Sequence, residues 1–265
     1  CRKNYCRHKC SLFTNTIFNS IHLQIGDVLR IIYCFSIGLS LTDTINLTDI
    51  PKSTLCGWFK FFRRILLLEY ACSTTEMIGG ENCTVEIDET HIYKRKYGVG
   101  RVLLSESVWV IGGICRETNK CFLTISSKRD AESLQNIILK FVNPGSKIIT
   151  DCWKGYKDLN LFGFEHFRIN HSYHFVDPTD KNIHTQKIER VWKSVKNDIP
   201  RTTRGRYKKD YLLKFLFFKN KQLKKKEEMF NEFISLIKKF YGDDIILDEE
   251  ALDNNDYYML SNLFE

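Results

Sequence analysis

The strongest constraint on the fold is a series of short apolar runs that begins near residue 84 and ends near residue 169. These runs predict strands at residues 84–93, 108–115, 121–126, 147–150 and 164–169. Helical spacing predicts helices at residues 130–142, 153–161 and 184–197. Three strands in hairpin order, followed by strands that alternate with helices, favour a mixed α/β sheet with helices on its faces.

The flanking segments predict further parts around this α/β region. The β-β-β-α-β-α-β-α order is that of the ribonuclease H-like fold, so we predict such a domain, with a mixed five-stranded sheet, at residues 79–200. The other predicted parts are a partial zinc-ribbon-like segment at 1–20, a helical, helix-turn-helix-like region at 21–78, basic C-terminal helices at 201–240 and an acidic tail at 241–265.

The helix predicted at residues 54–70 combines aromatic and basic side chains. They are Trp58, Phe59, Phe61, Phe62, Lys60, Arg63 and Arg64. With the preceding helix at residues 26–40, this helix resembles a helix-turn-helix, in which the second helix binds DNA. A small helical bundle without DNA contacts is the alternative, because its apolar spacing is the same.

The charge of the chain is divided very unevenly. The net charge is +8, but residues 1–240 carry +16 and residues 241–265 carry −8. The most basic segment is 181–226, with 16 Lys and Arg and three acids. A body this basic predicts a polyanionic partner, most often nucleic acid, and the alternative is a solvated basic surface. We hypothesise that the acidic tail competes with DNA for the basic face.

The ten cysteines fall into two groups. Seven stand singly among apolar residues, as is typical of reduced thiols in the core of an intracellular protein. The other three, Cys1, Cys6 and Cys10, lie at the start of the chain with His8 between them. Such a cluster favours Zn²⁺, with Cys1 and Cys6 as ligands in half of a zinc ribbon, and the alternative is a cysteine-rich segment without metal.

Three acidic residues are candidates for one metal site. Asp88 lies in the strand pattern VEIDE, Asp151 follows the apolar run IIT, and Glu189 lies on the helix TQKIERVWKSVK. Each alone has a structural alternative, such as a strand end, a helix cap or an i,i+4 pair with Lys193. Together at one edge of a ribonuclease H-like sheet, they would form an oxygen-ligand site for Mg²⁺ or Mn²⁺. Two such ions serve phosphodiester chemistry.

A family resemblance rests on five stretches of the central region. They are VEIDET with KRKYGVGR, WVIGGICRETNKCFL, NPGSKIITDCWKGY, HFRINHSYHFVDP and HTQKIERVWKSVK. In this order they resemble the catalytic domain of Merlin-type DDE transposases and their bacterial insertion-sequence relatives. The resemblance extends weakly to about residue 220 and back to the N-terminal cysteines.

This resemblance implies roles for individual residues. It implies catalytic, Mg²⁺- or Mn²⁺-binding roles for Asp88, Asp151 and Glu189, with two ions bound, and an accessory catalytic role for Lys196. The DNA contacts that we predict are Lys94, Arg95, Lys96, Arg101, Lys187, Lys193, Arg201, Arg204 and Arg206. Asn170, His171 and His184 lie near the predicted helix that carries Glu189. They could orient the site, and the alternative is that they make only structural hydrogen bonds.

The function that we predict is therefore a DNA transposase, which cleaves and joins DNA strands at transposon ends. Its predicted partner is double-stranded DNA, both terminal repeats and target, and self-association on DNA is expected by analogy. The expected location is intracellular and DNA-associated. The alternative is a domesticated or inactive descendant that binds specific DNA sequences without cutting them.

Overall fold

The computed structural model describes residues 22–72, 76–91, 109–170, 176–178, 180–199, 208–223 and 225–242. The chain divides into two compact units: residues 1–65 with 223–256, and residues 66–222 with 257–265. No helix among the described residues is long and apolar enough to cross a membrane.

The second unit is built on a mixed five-stranded sheet. Its strands are β2 (Thr84–His91), β3 (Trp109–Cys115), β4 (Cys121–Ser126), β6 (Lys147–Asp151) and β7 (Glu165–Ile169), in the order β4-β3-β2-β6-β7. The hairpin strands β2, β3 and β4 pair antiparallel, and β6 and β7 continue the sheet in parallel from β2. A short parallel pair, β1 (Ile78–Gly79) with β5 (Val142–Asn143), lies beside it. The predicted mixed α/β sheet is confirmed, and it is consistent with a ribonuclease H-like fold.

Helices cover both faces of this sheet, as predicted. One face packs on α4 (Ala131–Phe141), which begins where the side chain of Asp130 accepts a hydrogen bond from the N–H of Ser133. The other face packs on α5 (Gln186–Asp198) and α6 (Lys208–Lys221). Successive residues of a strand face opposite sides, so Val85 and Ile87 share one face. Both side chains belong to the core between the sheet and α4.

One predicted element differs from the structure. The helix predicted at residues 153–161 is instead two short 3₁₀ helices, Lys154–Tyr156 and Leu159–Phe162. Glycine at position 155 disfavours a continuous α-helix, and Gly163 ends the segment in a left-handed conformation, with φ of 82°.

The first unit is a helical bundle with an aromatic core. Its helices are α1 (Ile25–Ser36), α2 (Leu41–Thr48), the part of α3 (Lys52–Cys72) up to residue 65, and α7 (Lys226–Gly242). Phe35 contacts Phe59, Phe62 and Phe233, with ring centroids 5.1–5.2 Å apart. Phe59 and Phe62 of the predicted DNA-binding helix are thus core residues, and binding of DNA by this helix stays a prediction.

Candidate active site

Three carboxylates meet at one edge of the sheet. Asp88 and Glu89 lie in β2, and Asp151 is the last residue of β6. One oxygen from each of these side chains lies within 4.8 Å of the others. Carboxylate oxygens are hard ligands that suit Mg²⁺ and Mn²⁺, so this donor set fits the cations predicted from the sequence.

The parallel pairing of β2 with β6 brings two of these acids together. Glu86 lies opposite Ile149, and two residues further along both strands the register places Asp88 beside Asp151. Asp151 ends its strand, and its Oδ1 accepts a hydrogen bond of 2.9 Å from the N–H of Trp153. This bond fixes the carboxylate at the carboxyl end of β6, where ligands bind in open α/β sheets.

Glu89 is the buried member of the group. Its side chain is fully buried, and Oε1 accepts a hydrogen bond of 3.1 Å from Nε of Arg129. The guanidinium of Arg129 lies over two indole rings, 4.5 Å from the centroid of Trp109 and 4.1 Å from that of Trp153. The two rings and the carboxylate together fix Arg129 by cation–π and charge-assisted contacts.

Two buried oxygens beside the group lack a hydrogen-bond partner among the described residues. They are Oε2 of Glu89 and the hydroxyl of Tyr156. Burial raises the pKa of Glu89, against the influence of Arg129, and the charges of Asp151 and Asp88 raise it further. Burial, with the same three acids nearby, also raises the pKa of Tyr156 well above its usual value. A cation would lower the cost of this concentrated negative charge.

The half-buried His166, whose ring centroid lies 6.5 Å from that of Tyr156, predicts a pH-dependent stability. Burial, with a contribution from Arg168, lowers the pKa of His166 to about 4. The unfolded chain therefore binds this proton first, and stability falls as the pH drops from 6.5 towards 4. We expect the loss to be about 1–2 kcal/mol, allowing for partial solvent screening. Urea denaturation should show this extra loss in the wild type relative to His166→Asn, and equal losses would contradict it.

The third predicted ligand, Glu189, lies in the first turn of α5 and is exposed. It is not a member of the group formed by Asp88, Glu89 and Asp151. Helical periodicity places Lys193 and Lys196, which are also exposed, on the same side of α5 as Glu189. The helix thus presents one acid and two bases along one stripe.

A buried glutamate of β2 holds the start of α5. The side chain of Thr185 makes no cap hydrogen bond, and Oε2 of Glu86 instead accepts from the N–H groups of Lys187 and Ile188 at 2.7 and 3.0 Å. The side chain of Glu86 is fully buried. A carboxylate here satisfies two free N–H groups and complements the positive end of the helix dipole.

Arg116 completes the network around Glu86. Its Nε donates to Oε1 of Glu86 at 2.7 Å, and its other nitrogens donate to the backbone oxygens of Asn182 and His184, both at 2.6 Å. Burial and the charge of Arg116 lower the pKa of His184, although Glu86 opposes them. Lys187 donates through Nζ to the backbone oxygen of Arg116 at 2.8 Å. The β3–β4 turn and the start of α5 are therefore tied to the same strand as Asp88.

A second link joins α5 directly to the acidic group. Nε1 of Trp192 donates to Oδ2 of Asp88 at 3.0 Å. The indole fits because Gly112 lies opposite Asp88 in β3, where a Cβ would lie 2.6 Å from Cη2 of Trp192 and 2.6 Å from Cδ2 of Leu123. Glycine at this position makes room for the ring that positions Asp88.

Gly112→Ala should therefore displace Trp192 and weaken its bond to Asp88. We expect a loss of about 1–3 kcal/mol in the free energy of unfolding, since the added methyl group overpacks a core strand. Urea denaturation measures this loss. The matched control is Gly57→Ala in α3, where a Cβ meets nothing within 4 Å. If the two variants are equally stable, the close approach at Gly112 is not a constraint.

The other predicted site residues are placed as follows. Nζ of Lys187 already has two protein partners, the backbone oxygen of Arg116 and, at 3.2 Å, Oδ1 of Asn119. Asn170 directly follows β7 and is exposed, and His184 belongs to the network around Glu86. Outside the described residues lie Cys1, Cys6, Lys94, Arg95, Lys96, Arg101, His171, Arg201, Arg204, Arg206 and nearly all of the acidic tail.

Sequence reasoning missed Glu86, Glu89, Arg116 and Arg129, and it missed the contact of Trp192 with Asp88. One signal for Glu89 was available, because it occupies the position in β2 that should be apolar after Val85 and Ile87. The two arginines lie on loops, and the sequence contains no sign of the carboxylates that they contact.

The chain matches the model of a known protein family. The family model of the ISXO2-like transposase domain matches residues 77–220, more than half of the chain. The chain belongs to this family. The matched segment contains the whole five-stranded sheet, the three clustered acids, α5 and all but the last residue of α6.

A curated relative agrees with this assignment over a shorter segment. The chain is 36% identical over 58 residues to an uncharacterized transposase-like protein of Haemophilus influenzae, which is 22% of this chain and 47% of that protein. The matched part thus spans about half the length of this curated relative.

Proposed function

We propose that this ISXO2-like transposase domain catalyses metal-dependent DNA strand cleavage and strand transfer at the ends of a mobile element. The observation that carries the proposal is the group formed by Asp88 and Glu89 of β2 with Asp151 at the carboxyl end of the neighbouring strand β6. The transposase family model includes all three residues.

In this proposal Asp88, Asp151 and Glu189 hold two Mg²⁺ or Mn²⁺ ions. When bound, such ions activate a water or a 3′-hydroxyl for attack on a phosphodiester and stabilise the leaving oxygen. Trp192 holds the carboxylate of Asp88 through a hydrogen bond, and the N–H of Trp153 holds that of Asp151. These bonds orient the acids before any DNA arrives.

Basic side chains beside the acids bind the DNA backbone. Lys193 and Lys196 share a side of α5 with Glu189 and are exposed, so they can neutralise phosphates near the cleaved bond. Lys196 is the accessory catalytic residue of this proposal. Double-stranded DNA is the substrate, both element ends and target, and the chain self-associates to hold two ends together.

The test is an assay on linear DNA that contains the inverted repeats flanking the gene, with further DNA beyond the outer end of each repeat. We expect nicks at the repeat boundary that leave a 3′-hydroxyl, followed by joining to a second DNA, in Mg²⁺ or Mn²⁺ and not in EDTA. DNA with scrambled repeats is the control. Equal nicking of both DNAs, or nicking in EDTA, would contradict the proposal.

A second candidate function is sequence-specific DNA binding without cleavage. The observation that favours it is the net charge of +13 over residues 181–226, which attracts DNA whether or not the acids bind metal. Tight binding of the repeats, with no nicking in Mg²⁺ or Mn²⁺, would support this function over catalysis.

A further inference from the structure

A second cluster of metal-binding side chains lies at the other end of β2 from the acids. One ligand atom from each of Cys83, Cys115 and Glu117 lies within 4.8 Å of the others. All three residues belong to the second unit, and none of them contributes to the proposed chemistry.

The sheet register explains why these side chains meet. Val85 pairs with Cys115 across β2 and β3, so continuing the register by two residues places Cys83 opposite Glu117. Residues two apart on a strand share a face, so both thiols and the carboxylate lie on the face that carries Val85. Cys115 is fully buried, Cys83 is half-buried and Glu117 is exposed, which gives the cluster a path to solvent.

The carboxylate is already held towards the sulfur atoms. Oε2 of Glu117 accepts a hydrogen bond of 2.9 Å from the N–H of Thr84, and the thiol of Cys115 lies 3.4 Å from the same oxygen. Two tetrahedral ligands of one Zn²⁺, a thiolate and a carboxylate, are about 3.5 Å apart, given bond lengths of about 2.3 and 2.0 Å. Cys115 and Glu117 therefore have the spacing of two ligands of one Zn²⁺, and the sulfur of Cys83 lies within 4.8 Å of a ligand atom of each.

The same register argues against a disulfide. Cys83 and Cys115 are diagonal neighbours across the strand pair, and the Cα atoms of such neighbours are about 7–8 Å apart. A disulfide needs Cα atoms within about 6.8 Å, whereas sulfur atoms that share a Zn²⁺ stay about 3.8 Å apart. A bridging cation suits this pair better than a covalent bond.

We propose that Cys83, Cys115 and Glu117 bind one thiophilic divalent cation, Zn²⁺, with water as the fourth ligand. On binding, the two thiols release their protons to solvent and become thiolate ligands. The ion joins the start of β2 to the β3–β4 turn, next to Arg116, whose side chain reaches Glu86 and the start of α5. This site is independent of the proposed transposase activity.

The test uses Co²⁺ as a probe, since Co²⁺ bound to thiolate absorbs in the near ultraviolet. The full chain is used with Cys1, Cys6 and Cys10 replaced by Ser, which removes the N-terminal cysteines as competing ligands. We expect thiolate-to-cobalt absorption from one thiolate-bound Co²⁺ per chain, apart from any Co²⁺ that the acidic group binds without such absorption, and Zn²⁺ should displace this ion. Adding Cys83→Ser should abolish this absorption, and Glu117→Gln should weaken Co²⁺ binding roughly tenfold or more.

The matched control is Cys152→Ser, because Cys152 is an exposed thiol that follows Asp151 and lies outside the cluster. This variant should bind Co²⁺ as the parent does, and Zn²⁺ should slow alkylation of Cys83 in both. Circular dichroism confirms that the variants fold. Absence of the absorption in the parent, its survival in Cys83→Ser, or its loss in Cys152→Ser would overturn the proposal.

Discussion

Asp151→Asn should lower the rate of Mg²⁺-dependent strand cleavage and joining by roughly a thousandfold or more, while the protein stays folded. The amide keeps an oxygen that can accept the N–H of Trp153, so the turn after β6 is preserved. The substitution removes one of the negative charges with which the acidic group would hold a metal ion. Cleavage of the repeat-containing DNA in Mg²⁺ is the measurement.

The matched control for this variant is Asp158→Asn. Asp158 is an exposed aspartate in the same connection between β6 and β7, it caps no helix through its side chain, and it lies outside the acidic group. We expect wild-type cleavage from this variant. Full activity in Asp151→Asn would remove Asp151 from the catalytic site.

Glu86→Ala should cause the largest loss of stability among the substitutions considered. It leaves the partly buried guanidinium of Arg116 and the N–H groups of Lys187 and Ile188 without their acceptor. Removing one partner of a buried ion pair costs about 3–5 kcal/mol, and we expect about 3 kcal/mol here, since Arg116 keeps its bonds to two backbone oxygens. Urea denaturation measures this loss.

The control for this prediction is Glu165→Ala in β7. Glu165 is also a strand glutamate with a basic partner, Lys147 at 3.6 Å, but both side chains are more than half exposed. Exposed pairs contribute less than about 1 kcal/mol. If the two variants lose equal stability, Glu86 has no special role at the start of α5. If hydrogen exchange in α5 is unchanged in Glu86→Ala, the helix does not depend on this carboxylate.

Most of the sheet could be predicted from the sequence because each strand is an uninterrupted apolar or alternating run. VWVIGGIC and CFLTIS are short apolar runs rich in β-branched and aromatic residues, which favours buried strands, and their hairpin order sets their neighbours. The prediction of one helix after β6 was wrong in detail. The apolar spacing of this segment resembles that of a helix, but Gly155 and Gly163 disfavour a continuous α-helix. Apolar spacing indicates which side of a segment is buried, but it does not distinguish one α-helix from two short 3₁₀ helices.

The candidate site was predictable only in part. Asp88 and Asp151 stand out in sequence because Asp88 interrupts a strand pattern and Asp151 directly follows an apolar run. The residues that hold them depend on long-range contacts: Arg129 is 40 positions from Glu89, and Trp192 is 104 positions from Asp88. A local pattern contains no record of such pairs, so the contact between Trp192 and Asp88 was not predicted.

The central claim is that the acids of β2 and Asp151 at the end of β6 hold divalent metal. The most direct test is titration of the full chain with Mn²⁺, followed by electron paramagnetic resonance, in which the signal of the free ion falls as the ion binds. We predict that the wild type and Asp158→Asn bind Mn²⁺ alike, and that Asp151→Asn binds it at least about tenfold more weakly. Equal Mn²⁺ binding by Asp151→Asn and the wild type would contradict the account.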